Sequence, residues 1–302
     1  MRKTAIAFLG LLATTPGLAA CSSLPTALSE GPTLEKRTPV LDQLESLPAP
    51  KQKLFGAVYQ FTDQTGQHKP NPNYADYSSA VTQGGAAILV NALIKAGGGT
   101  WFAVVERSGL QALLQERELI RSNRLKYLGQ NGKPMAAMPA LMNAGILFQG
   151  GIIGYDSDVL TGGLGANYLG IGGNVQYRRD LVSIFLRAIS VNTGEILESI
   201  TTSKTIYSVG IDANVFKFVE FQKLFQFEAG FTTNEPVELA VKKAIEKAVY
   251  ALIVQGAMDD YWHFADASKE KAIFADYIQE KGEEETVTAV KSTASPGSGS
   301  TP

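Results

Sequence analysis

Between Thr205 and Val215 the chain alternates with a period of two. Thr205, Tyr207, Val209, Ile211, Ala213 and Val215 hold the odd positions, and Ile206, Ser208, Gly210, Asp212 and Asn214 the even ones. The pattern returns at Phe225, Phe227, Ala229 and Phe231, set against Gln226, Glu228, Gly230 and Thr232. Successive side chains of a strand point to opposite faces, so each run predicts a strand with one apolar face and one small or polar face. Phe216 to Lys223 is short enough to be the hairpin tip between them. An upstream pair repeats the theme. Ile153, Tyr155, Ser157 and Val159 alternate with Gly154, Asp156 and Asp158, and Val175, Tyr177 and Leu181 with Asn174, Gln176, Arg178 and Asp180. The glycine-rich 162–173 forms the far end, Arg179 falls on the apolar side, and Asn192, Thr193 and Gly194 mark the turn joining the two hairpins. A half-buried strand of a soluble sheet and a strand of a membrane barrel both alternate in this way. The length is the about 9–11 residues of a tilted membrane strand. Aromatic residues near the strand ends also point toward lipid.

The amino terminus narrows the choice. Arg2 and Lys3 precede an apolar run from Ala5 to Leu12, and Leu18, Ala19 and Ala20 lead into Cys21. A basic start, a short apolar stretch and small residues before a cleavage point mark a secretory signal over 1–20. The run falls short of the about 20 residues a membrane-crossing helix needs. Leu-Ala-Ala-Cys resembles the bacterial lipobox, so Cys21 is expected to carry a diacylglycerol and an N-acyl chain as the first mature residue. No other cofactor is expected. Ser22, where an Asp commonly retains such proteins at the inner membrane, favours the outer one. With a single cysteine, no internal disulfide can form.

Removal of 1–20 leaves 25 basic residues against 29 acidic ones, a balance that excludes nucleic acid as a partner. No later stretch has the run of about 18 apolar residues of a spanning helix, so a membrane crossing here has to be a barrel.

Taken in order, 21–50 is rich in Pro, Ser and Thr and reads as an extended, lipidated tether. Leu54 to Phe61 predicts a strand, Thr62 to Tyr77 a long loop with Pro70 and Pro72, and Ser78 to Ala96 a helix stopped by Gly97, Gly98 and Gly99. Trp101 to Glu106 predicts a strand, Gly109 to Ser122 a helix, Met138 to Asn143 a short helix, and Ile146 to Gly154 a strand. A helix from Glu235 to Gln255 follows, with Asn234 as N-cap, Pro236 in its first turn and Gly256 as its stop. Asp259 to Glu280 continues helically, and 283–302 reads as a disordered tail. The fold class is α+β: an α/β domain over 51–151 and 233–282, and two hairpins over 152–232.

Nothing in the chain points to an enzyme. The glycine-rich segment holds neither phosphate-loop spacing and precedes a strand, not a helix. His68 and His263 lie outside any metal-type spacing, and no nucleophile has a paired base. Four strands are too few for a barrel, since about eight is the smallest common closure. Edges left open in lipid cost several kcal/mol per unpaired group. The strands must therefore be shared among copies of the chain, around a lumen wide enough for water.

The chain resembles the CsgG family of curli secretion lipoproteins. The stretches that carry the likeness are LPAP at 47–50, DQTGQHKP at 63–70, YSSAV at 77–81, ERSGLQALLQER at 106–117, IIGYDSDV at 152–159, GGLGANYLGIGGNVQY at 162–177, VNTGEIL at 191–197, SKTI at 203–206 and TNEPVEL at 233–239. The resemblance implies a nine-fold ring in the outer membrane, its bulk in the periplasm, with four strands per subunit and about 36 in all. It implies an oligomeric, nucleotide-independent diffusion channel for unfolded curli-type amyloid subunits, with a periplasmic capping accessory and a surface-side accessory as partners. In the family the loop equivalent to 67–79 forms a constriction of an aromatic, an amide and a second aromatic. Here Tyr77 takes the inner aromatic position and Asp76 falls where the family has an amide. Asn71 falls at the other aromatic position, for which one inserted residue lets Tyr74 supply the ring. The expected lumen residues are Asp156, Asp158, Asn174, Gln176, Arg178, Asp212, Gln226 and Glu228. The expected lipid-facing ones are Tyr155, Tyr177, Tyr207, Val209, Ile211, Phe225, Phe227 and Phe231. The alternative is a periplasmic lipoprotein binding module whose hairpins dock a partner and never form a pore.

Overall fold

The computed structural model describes residues 34, 37–67, 81–126, 137–161, 176–212, 215–219 and 237–293. The chain parts into two units, Met1–Lys36 and Arg37–Pro302, and every element below belongs to the second. Six strands form one sheet: β1 (Leu54–Asp63), β2 (Phe102–Val104), β3 (Ile146–Thr161), β4 (Gln176–Ser190), β5 (Ile196–Asp212) and β6 (Val215–Val219), in the order β2-β1-β3-β4-β5-β6. The helices are α1 (Pro39–Glu45), α2 (Gly85–Lys95), α3 (Leu110–Lys126), α4 (Val237–Met258) and α5 (Ala267–Thr293). β1 runs parallel to both β2 and β3, as strands joined by helical crossovers do. β3 to β6 are antiparallel throughout.

α4 is the centre of the core. Its Ala, Val, Ile and Leu residues leave no wet stripe: Val241, Ile245, Ala248, Val249, Leu252 and Val254 are all fully buried. A helix apolar around most of its circumference, with Lys243 and Lys247 only half-buried, belongs inside a protein. α4 lies against β4 and β5 and also meets α1, α2 and α5. The sheet answers with Phe148 and Ile152 of β3, Val182, Ile184, Leu186 and Ala188 of β4, and Ile206 of β5. At the opposite edge Trp101 is wholly buried, donates its indole N–H to the Pro48 carbonyl at 2.8 Å, and packs edge-on to Phe264 at 5.1 Å.

Two charged groups enter this core together. Glu246 is 2 % exposed; Lys242, one turn earlier, lies 3.9 Å from it, and the Thr38 hydroxyl donates to its carboxylate. Thr38 also accepts from the Leu41 amide at 2.9 Å, so one side chain caps α1 and satisfies a buried acid.

Several local expectations are corrected. The segment read as an extended tether through Pro50 contains α1, because the Thr38-Pro39 start is a capping signal and Leu41 and Leu44 bury against the core. α2 starts at Gly85, not Ser78. An added Cβ at Gly85 would lie 2.4 Å from the Phe61 ring, so close packing on β1 selects glycine there. Residues 138–143 form no helix. α4 runs past Gly256 to Met258; Gly256 is needed because an added Cβ would lie 2.1 Å from the Trp262 ring. A turn from 259 to 266 separates α4 from α5, and α5 reaches Thr293 where a disordered tail from 283 was expected. Gly97 and Gly98 do adopt the left-handed φ of +57° and +63° that ends the preceding helix. The tip of the second hairpin is not at 216–223. Asp212 pairs with Val215, the first residue of β6, whose Val and Phe residues favour a strand. Among the described residues no helix is long and apolar enough to cross a membrane.

Candidate functional site

The site is the far half of the sheet, where the strands outrun the helices. Pairing between β1 and β3 stops at Asp63 and Ile152. Beyond that point β3 continues for nine residues to Thr161 with β4 as its sole described partner, and β6 is the opposite sheet edge among the described residues. Among the described residues both edges are therefore open there, each a row of backbone donors and acceptors. Helix cover ends at the same level. Val182 and Ile206 are fully buried, whereas Asp156 and Ser157 are exposed.

A buried polar pair marks the boundary. Tyr155 of β3 donates its hydroxyl to Asp180 of β4 at 3.2 Å, and the two residues are 6 % and 0 % exposed. The expectation that Tyr155 faces lipid is thus corrected: its ring belongs to the core cluster with Val182 and Ile206. The cause is a β-bulge between Ile152 and Gly154. Ile152 and Tyr155, three residues apart, come to share a face, and the phase of every later β3 residue inverts.

The bulge overturns a second expectation. Directly opposed residues of an antiparallel pair lie on the same side of the sheet. Asp156 opposes Leu181, Asp158 opposes Arg179, Val159 opposes Arg178 and Thr161 opposes Gln176. Asp156 and Asp158 therefore do not share a face with Gln176 and Arg178, with which they were grouped as lumenal. In the β4–β5 register Tyr177 opposes Val209, Arg179 opposes Tyr207 and Arg178 opposes Ser208, which puts Tyr177, Tyr207 and Val209 in one phase of the ladder and Gln176 and Arg178 in the other. Asp212 and Ile211 lie at the end of β5, where the register shifts again between Gly210 and Asp212. Cys21, Asn71, Tyr74, Asp76, Tyr77, Asn174, Phe225, Gln226, Phe227, Glu228 and Phe231 lie outside the described residues.

Sequence reasoning missed what holds the loop that follows β1. The Asp63 carboxylate accepts from the Thr65 amide at 2.9 Å and from the Thr65 hydroxyl at 2.7 Å, through Oδ1. Its Oδ2 accepts from the Gln83 side-chain amide at 3.2 Å. The Gln64 amide donates to the Ile152 carbonyl at 2.8 Å, which sets the loop's start beside the last paired residue of β3. Gly151 permits that approach, since an added Cβ would lie 2.7 Å from the Thr62 carbonyl oxygen. The Asp-x-Thr spacing of an Asx-type turn was the available signal for the first contact. The Gln83 contact, 20 residues away, had none.

Fold and site together define a class: an α/β body whose sheet runs into hairpins whose edges, among the described residues, are open. The family model for curli production assembly/transport component CsgG matches residues 37–281. The chain belongs to the CsgG family. It is 41 % identical over 263 residues to the curli production assembly/transport component CsgG of Salmonella typhimurium, covering 86 % of this chain and 92 % of that protein. It is 41 % identical over 265 residues to that of Escherichia coli K12, with the same coverage. Against that of Citrobacter koseri it is 40 % identical over 265 residues, again covering 86 % and 92 %.

Proposed function

We propose that this chain is one subunit of an outer-membrane lipoprotein channel that passes unfolded curli-type amyloid subunits from the periplasm to the cell surface. The observation that supports the reading is that, among the described residues, β3 beyond Ile152 and β6 have open edges at the level where helix cover ends. In lipid such edges are costly, and pairing each with the next copy of the chain removes the cost around a closed ring. The membrane-crossing portions are then the parts of β3 to β6 beyond Tyr155, Val182 and Ile206. The α4-packed halves stay in the periplasm. Nine copies, each tethered by acyl chains on Cys21, would form the wall.

Tyr177, Tyr207 and Val209 meet lipid, and Gln176 and Arg178 meet water in the lumen. The constriction is made by 67–79, with a ring of Tyr77 whose aromatic faces let an unfolded chain slide past without being read for sequence. No nucleotide-binding motif is present in the sequence. Export therefore runs down the substrate's own gradient, aided by a periplasmic cap that confines a subunit and by a surface-side accessory that receives it. Repeated around the ring, Asp76 places like charges close together and favours cations in the pore.

Reconstitution in planar bilayers tests both levels. Steady ohmic conductance, with a reversal potential displaced toward cations and returning toward zero in Asp76→Asn, is the expected result. A protein that runs as a detergent-independent monomer and conducts nothing would be a docking module, not a pore.

A further inference from the structure

The face of the sheet turned away from the core carries a cavity at its base. Leu147 stands between Ile146 and Phe148, both members of the core cluster, so its own side chain points to the other face, and Ile189, which opposes it across the ladder, joins it there. With Ala144 and Val191 these residues wall a cavity of about 430 Å³, inside the range of about 300–1,000 Å³ usual for ligand sites. Backbone bonds hold the wall in place: the Gly145 amide donates to the Phe55 carbonyl at 2.8 Å, the Val191 amide to the Gly145 carbonyl at 3.0 Å and the Ser190 amide to the Glu195 carbonyl at 2.8 Å. Phe55 and Ile196 share this face by register and are exposed, so the cavity sits within an open apolar patch.

One cation enters that apolar wall. Arg107 lines the cavity, is half-buried, and donates to the Glu106 carbonyl at 2.8 Å and to the Met142 carbonyl at 3.0 Å. Those two bonds fix the guanidinium and leave part of its donor fork over. The carboxylate nearest in sequence, Glu106, accepts from the Gly109 amide at 2.7 Å instead, and among the described residues no acid forms an ion pair with Arg107. A partly desolvated cation with no counter-charge is costly, and an anion in the cavity would remove the cost. Tyr59 and Asn143 add a hydroxyl and an amide to the lining, groups that match peptide N–H and C=O and that a plain acyl chain would leave unpaired.

We propose that this cavity binds the C-terminal end of an extended apolar peptide, with Arg107 holding the terminal carboxylate and Leu147, Ile189 and Val191 the last side chains. The site lies in the body of the chain and does not depend on pore formation.

The test is fluorescence anisotropy on the full-length lipidated protein in phospholipid nanodiscs, with a fluorescein-labelled peptide ending in Leu-Val as the probe. Saturable binding is expected, weakened about tenfold or more when the peptide's carboxylate is amidated and equally in Arg107→Gln, because the charge-assisted hydrogen bonds are lost in both. In Arg107→Gln the free and the amidated peptide then bind alike, a convergence that a merely structural role for Arg107 would not produce. Val191→Asp sets a carboxylate on the cavity wall while keeping the backbone amide bond, and is expected to abolish binding. Equal binding of the free and amidated peptides to wild type, or no saturable binding at millimolar peptide, overturns the proposal. Decanoate that binds where the peptide does not would overturn it too and give the cavity to acyl chains. If Arg107→Gln does not fold, Val191→Asp decides, and wild-type affinity there overturns the proposal.

Discussion

Thr38 joins two functions in one hydroxyl. It caps α1 and donates to the buried Glu246, so its replacement by Val leaves an orphaned amide at one end and a poorly solvated carboxylate at the other. Thr38→Val is expected to destabilise the protein by about 1–3 kcal/mol, read as a lower denaturation midpoint with an unchanged slope. Glu198 behaves differently. Burial on the α4 side of β5, reinforced by the adjacent Asp259, raises its pKa from 4.5 to about 7, while Asp259 is lowered by its contacts with Glu198 and Gln255. Lys281 on α5 opposes the rise. The folded state therefore holds a proton that the unfolded chain releases. Stability falls as pH climbs from about 4.5 through about 7 and is level above that. Melting curves at pH 5 and pH 8 should differ by several degrees in wild type, and Glu198→Gln should remove the difference. An equal fall in Glu198→Gln would assign the slope to other groups.

At the scale of elements, α4 and β1 were legible because their side chains alone specify them. The stripe Val237, Ala240, Val241, Ala244, Ile245, Ala248 predicts a helix before anything is known of its neighbours, and the three glycines after Lys95 predict a stop. α1 was not legible. Seven residues are too few to form a helix alone, and what holds them is tertiary: Leu41, Leu44 and the Thr38 link to a residue 208 positions away. The bulge at Ile153 was equally hidden, since an inserted residue leaves the local polarity pattern looking regular while inverting the faces beyond it. That is why the strands of the site could be found in the sequence and the faces of β3 could not. Two changes separate these effects. Ile245→Ala removes a fully buried side chain from α4 and should cost about 2–5 kcal/mol, measured by denaturant titration. Deletion of Ile153 turns the bulge into regular pairing and keeps Ile152 and Tyr155 on one face, so the α4-packed body should stay folded by circular dichroism and detergent-stable oligomers should persist. Loss of the oligomers in the deletion would contradict that assignment of faces.

At the scale of the whole molecule, one sheet serves two environments. Its inner half is a conventional layer under α4, and its outer half has edges that are open among the described residues. A channel requires those edges to be closed by other copies of the same chain. Single-particle imaging of the full-length protein extracted in detergent tests this most directly. Closed rings, with strands from each subunit continuing into the next around an open lumen, are the predicted result. Solitary particles with the outer halves of β3 to β6 folded back on their own body would contradict it.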